Sequence, residues 1–108
     1  MMALTHVQPG EVVHLQPDAS ALATSRTSAL MKSDRFETVR LVVPSGATIP
    51  EHKVAGFISL FCLEGHVVLG AEREIELHRG DWIYLERGAS HWVRGVEDSA
   101  LLLTIFFD

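Results

Sequence analysis

The 108-residue chain holds a single cysteine, Cys62, so no internal disulfide is available to staple it. None is needed, because a folded chain of this length buries roughly two-thirds of the surface it exposes when unfolded. Basic residues are scarce. Nine Lys and Arg stand against fourteen Asp and Glu, a formal charge of −5, whereas proteins that neutralise phosphates show a basic face. No nucleic-acid partner is expected. Long hydrophobic runs are missing too: the longest, Ala100 to Phe107, falls far short of the roughly 20 residues that span a bilayer, so no membrane partner is expected either. Met1 to Val13 lacks the basic region and apolar stretch of a secretory signal, and the expected location is cytoplasmic. Low-complexity linkers and internal repeats are absent, and residues 1–108 read as one domain.

What the chain does have is apolar residues at period two, the spacing that puts alternate side chains on one face of a strand. Val39, Leu41 and Val43 end at Pro44-Ser45-Gly46, so 35–43 reads as a strand, joined through Ser33-Asp34 to a partner over 28–32. Phe57 to Leu63 is short enough for a buried strand. Ile75 and Leu77 alternate with Glu74, Glu76 and His78, and Trp82 to Leu85, His91 to Arg94 and Leu101 to Phe107 complete the series. Turn signals recur every ~8–12 residues, the rhythm of an antiparallel sandwich or barrel. No connection is long enough for a crossover helix. The one helical candidate, Ala19 to Ala23, is short and flanked by Ser and Thr. The expected core is Val39, Leu41, Val43, Ile58, Leu60, Ile75, Leu77, Ile83, Leu85, Leu101, Leu103 and Ile105, with 1–34 as N-terminal strands or an arm.

Two glycine-histidine clusters stand on this background. One runs from Gly46 through His52 to Gly65, the other from Gly80 through Gly88 to His91. Their spacing resembles the two motifs of the cupin superfamily, the first over about 46–65 and the second over about 80–95. The resemblance implies an all-β, antiparallel jelly-roll barrel of the small single-domain, RmlC-like kind, with a pocket inside it. It also implies a metal site of three His and one Glu. Here Val54 stands at the second histidine position, Ile58 at the glutamate, Glu86 at the proline and Gly95 at the asparagine. His52 and His91 are the metal ligands the resemblance leaves. Two imidazoles fall short of the three protein ligands of an open catalytic zinc site, and they lack the carboxylate of a two-His, one-carboxylate iron site.

If Ile58 points inward, as the family's glutamate does, then Leu60 and Cys62 share its face, because alternate strand residues lie on one side. The expected ligand pocket is therefore His52, Val54, Ile58, Leu60, Cys62 and His91, a largely apolar wall carrying two polar groups. One divalent transition metal, or none, remains open as the cofactor. His52 follows Pro50-Glu51 and is open to reading as an exposed loop residue; His91 is open to reading as a core histidine satisfied by the backbone. His66, His78 and the acidic edge Glu72, Glu74 and Glu76 read as solvated surface. Cys62 sits in an apolar run and reads as a small buried hydrophobe.

Three functions compete: a small-molecule binding module, a cupin enzyme of isomerase, decarboxylase or oxygenase type using His52 and His91, and a dimeric structural or regulatory subunit. The binding module is the expectation. A homodimer is expected too, because Leu101-Leu102-Leu103 puts apolar residues on both faces of the last strand, and Val12 to Leu15 would supply a strand across the interface.

Overall fold

The computed structural model describes residues 6–107, with the side chains of Ala19 and His52 set aside. A 3₁₀ helix over Ala19–Thr24 is followed by nine strands: β1 Ser28–Lys32, β2 Phe36–Val43, β3 Thr48–Lys53, β4 Ile58–Glu64, β5 His66–Gly70, β6 Glu74–His78, β7 Trp82–Leu85, β8 Ser90–Gly95 and β9 Ser99–Phe106. Five form one sheet in the order β1-β2-β9-β4-β7; four form the other in the order β3-β8-β5-β6. All pairings are antiparallel. From β2 onward the pairs nest: β5 with β6 innermost, then β4 with β7, β3 with β8 and β2 with β9. This is one long hairpin rolled over itself, and β4–β9 and β5–β8 pairing knits the roll into two facing sheets.

The sheets close on a core of Val43, Ile58, Leu60, Cys62, Val67, Leu69, Leu77, Leu85, Val93 and Leu101. Period-two patterning finds the first sheet's share of it, and Leu41, Ile75, Ile83, Leu103 and Ile105 pack against it as expected. Val39 is only half-buried and lies outside the cluster, a departure from the expected core. The second sheet contributes Leu77, as expected, together with Val67, Leu69 and Val93, which are absent from that expectation. Val67-Val68-Leu69 is apolar without alternation, because Val68 is also buried, on the opposite face of β5.

Patterning also misses β3. Thr48-Ile-Pro-Glu-His-Lys neither alternates nor avoids proline, yet it is the edge strand of its sheet, where Pro50 is tolerated. A register shift between Ile49 and His52 accommodates it, and the expectation that His52 lies on a loop gives way to a paired strand position.

Among the described residues, Val12 to Leu15 forms no strand. Instead Leu15 and the buried Leu22 lie over the outer face of the five-stranded sheet, against Leu63, Ala100, Phe61 and Leu102. Asp18 caps the 3₁₀ turn by accepting from the Ser20 amide at 3.2 Å, and Gln16 Nε2 donates to the Leu63 carbonyl at 2.7 Å. This strap covers part of the second apolar face of β9, while Phe106 at its end stays exposed. No helix among the described residues is long and apolar enough to cross a membrane.

Leu101 is fully buried on the central strand. Leu101→Ala is expected to lower unfolding free energy by about 2–5 kcal/mol, and Val39→Ala by clearly less, measured by urea unfolding. Equal losses at the two positions would contradict the core assigned here.

Candidate functional site in the barrel

Rolling the hairpin brings the two glycine-histidine clusters together. β3 and β8 pair with Lys53 opposite Ser90 and His52 opposite His91. Residues directly opposed across an antiparallel pair have Cα atoms roughly 4.5–5.5 Å apart. The side chain of His52 lies outside the described residues; its backbone register does not. His91 is buried, with 3% of its surface exposed. Its Nδ1 is 3.3 Å from the Ala89 carbonyl oxygen. A carbonyl only accepts, so this contact puts the proton on Nδ1 and the lone pair of a neutral ring on Nε2.

His91 lines a cavity of about 190 Å³ between the sheets, and among the described residues Leu41, Ile49, Leu60, Val93 and Leu103 line it too. Of the residues expected in the pocket, Leu60 and His91 are there. Ile58 and Cys62 share the Leu60 face of β4 but are sealed into the core, at 2% and 0% exposure. Val54 is half-buried against that core. The wall residues Ile49 and Val93 escaped sequence reasoning; they are register partners on β3 and β8, and only the pairing of those strands reveals them.

The structure resembles a cupin superfamily protein from Desulfitobacterium hafniense, with a TM-score of 0.78 and 20% identity over 99% of this chain and 100% of that one. The fold is that of a small cupin-type domain. A conserved protein of unknown function from Streptococcus pyogenes superposes with a TM-score of 0.77 at 16% identity, covering 100% of this chain and 96% of its own. A predicted oxalate decarboxylase from Thermotoga maritima gives 0.70 at 21% identity, over 76% of this chain and 79% of that one. No protein-family model matches the sequence, and no curated protein does.

Against the cupin ligand pattern, this barrel is poor in donors. Ile58 is a core hydrocarbon where the family's glutamate stands, and the described wall of the inner cavity offers one ligand atom donor, His91. With His52 the set reaches two imidazoles, so these residues do not make a four-ligand metal centre. A larger cleft of about 610 Å³ opens beside β6 and β7, the unpaired edges of the two sheets. Glu51, Glu72, Glu86, Arg73 and Tyr84 line it over an apolar floor that includes Ile75 and Ile83. Ser90 lines this cleft and its chain neighbour His91 the inner cavity.

A second histidine group lies outside the barrel. His66 and His78 are register partners on β5 and β6, their rings stacked with centroids 4.2 Å apart, and His66 Nε2 is 2.7 Å from Glu76 Oε1. Sequence reading leaves all three as solvated surface. The available signal was Glu-x-His on one strand with a further His across a short hairpin, a pattern that acquires meaning only with the register.

Cys62 is inert by position. Burial pushes its thiol up to about 11 from an ordinary 9.0, while a backbone hydrogen bond at Glu64 works the other way and the Asp81 and Glu64 charges add to the rise. The folded state therefore holds the Cys62 proton more tightly than the unfolded chain. This contribution to stability is whole below pH 9 and is lost as pH climbs from about 9 to 11. Unfolding midpoints should fall over that window, and Cys62→Ala should flatten the fall. A native thiol that reacts with a disulfide reagent at neutral pH as fast as the denatured chain would contradict this placement.

Proposed function

We propose that this cupin-type barrel is a small-molecule binding module whose ligand enters the inner cavity and is oriented by His91 and His52. One observation carries the reading: a buried imidazole set in an otherwise apolar wall, directly opposite the other motif histidine in the β3–β8 register. Apolar surface supplies affinity in such sites, and a few placed polar groups supply orientation. The His91 imidazole is the polar group of this wall, of a kind that can exchange a hydrogen bond with a ligand hydroxyl, amide or carboxylic acid. A divalent transition metal at His52 and His91 belongs to this reading only with water or ligand atoms completing its shell, because two imidazoles are fewer than the usual minimum of three protein ligands.

The test is a ligand-observed and methyl-detected NMR screen with small, weakly polar acids, alcohols and amides. Binders are expected to shift the methyl resonances of Leu41, Leu60, Val93 and Leu103 together. The His52→Ala/His91→Ala protein should bind them at least about tenfold more weakly, the scale of one lost hydrogen bond to a buried group, while keeping its fold. Binders that move only surface resonances, or that the double variant holds as tightly as the parent, would sink the proposal.

The same reading keeps a homodimer. It is supported by the aromatic side chains Trp82, Tyr84 and Phe106, exposed on the five-stranded sheet at 59%, 53% and 44%. Sedimentation at tens of micromolar, an order-of-magnitude choice for a stable interface, should show the dimer; a monomer there would reject it.

A further inference from the structure

Outside the barrel, three side chains that sequence reading leaves to solvent converge. His66, Glu76 and His78 each offer one ligand atom, and those atoms all lie within 4.8 Å of one another. We propose that they form a divalent transition-metal site on the outer face of the β5–β6 hairpin, distinct from the barrel cavity and selective for the Zn²⁺, Ni²⁺ and Cu²⁺ class.

Backbone architecture puts them there. His66 stands opposite His78 in the β5–β6 register. The backbone groups of His66 are engaged elsewhere: its N–H donates to Ser99 Oγ at 2.9 Å, and its carbonyl accepts from the Val96 and Glu97 amides at 2.9 and 3.2 Å. Those of His78 serve the following turn, its N–H donating to Asp81 Oδ2 at 2.8 Å and its carbonyl accepting from the Asp81 amide at 2.9 Å. The pair is therefore of the non-hydrogen-bonded kind, in which opposed side chains approach most closely. Glu76 lies two residues before His78, hence on the same face of β6, and reaches diagonally to His66. Val67, Leu69 and Leu77 occupy the other face, toward the core. The ligand face is thus set by the same alternation that builds the barrel.

Gly65 fixes where β5 begins. Its φ is +93°, and a Cβ there would collide with Ser99 Oγ and the Asp98 carbonyl, so a residue without a side chain holds His66 against Ser99.

Chemistry chooses the ion. Two imidazoles and one carboxylate suit borderline transition metals, whereas Ca²⁺ takes six to eight oxygens and Mg²⁺ prefers an oxygen octahedron. His78 Nδ1 faces Asp81 Oδ2 at 3.7 Å. A carboxylate behind one ring nitrogen is the usual partner of a metal-bound imidazole, and it leaves Nε2 as the ligand we assign to His78. For His66 the ligand is the Nε2 that now faces Glu76, with the ion taking the place of the shared proton. Three protein ligands leave a fourth position for water or for a donor from another molecule.

An ion here would tie β6, an edge strand, to β5 and stabilise the folded chain by mass action.

The experiment is calorimetric titration of the full chain with Zn²⁺ alone, run on the parent, His66→Ala/His78→Ala, Glu76→Gln and His52→Ala/His91→Ala. His78 and Glu76 are mostly exposed, at 61% and 62%, so the fold should survive their loss, and far-ultraviolet circular dichroism checks that it does. The parent and His52→Ala/His91→Ala should each show the outer-site equivalent of Zn²⁺. Glu76→Gln should bind roughly tenfold more weakly and His66→Ala/His78→Ala roughly a hundredfold or more, since even outer-shell partners of a metal site are worth 10–100-fold. Should His66→Ala/His78→Ala prove too unstable to titrate, His78→Ala alone carries the comparison. The proposal is overturned if the parent takes up no Zn²⁺ at about 100 μM. Retention of the parent's affinity by the His66→Ala/His78→Ala or His78→Ala protein also overturns it, as does loss of all uptake in His52→Ala/His91→Ala, which assigns the ion to the barrel instead.

Discussion

Antiparallel pairing of β3 with β8 is the interaction on which the candidate site depends. It joins residues far apart in the chain, and it is held by the rolled hairpin that encloses it, with β2–β9 outside and β4–β7 and β5–β6 inside. Closing such distant contacts costs loop entropy before any burial rewards it. The reward comes from the core that the two sheets seal between them, where Leu60, Leu69, Leu101, Val43 and Val67 are almost wholly removed from water. If the roll failed to close, His52 and His91 would be unrelated residues.

The same roll sorts the chemistry by face. Inward positions are so consistently aliphatic that His91 is the one titratable imidazole among the buried side chains described, and the family's carboxylate position is filled by Ile58. Ionised groups are costly in such surroundings, which suits a cavity that orients a neutral or weakly polar molecule better than one that binds highly charged species. Outward positions on β5 and β6 carry the opposite chemistry, His66, Glu76 and His78, where water and neighbouring carboxylates make charge inexpensive. Inner cavity and outer cluster are thus two products of one alternation, separated by the thickness of a sheet.

The outer face of the five-stranded sheet shows how a chain handles a strand that is apolar on both sides. Leu101 and Leu103 face the core, whereas Ala100 and Leu102 face the strap carrying Leu15 and Leu22. Burying Leu22 explains why a short, Ser- and Thr-flanked turn holds at all, since a 3₁₀ helix of this length has little stability of its own. Covering that face locally leaves the exposed aromatics toward β7 and the end of β9 as the apolar surface still open to water.

Most of the fold was legible in the sequence. Period two marks β2, β4, β6, β7 and β9, because a strand buried on one face must alternate, and the motif glycines and histidines set these strands in the order of a cupin roll. β3 was illegible because an edge strand tolerates Pro50 and need not alternate, so nothing local distinguishes it from a loop. Residue types at the two motif positions pointed to His52 and His91; their direct opposition, and the cavity wall of Ile49 and Val93, came only from the register between two distant strands. The outer cluster is the sharper case. His66, Glu76 and His78 are ordinary polar residues when read along the chain, and what makes them a group is cross-strand geometry. A strand's own sequence dictates which residues share its face, but which residues face each other across strands is decided by pairing, and pairing is a property of the whole folded chain.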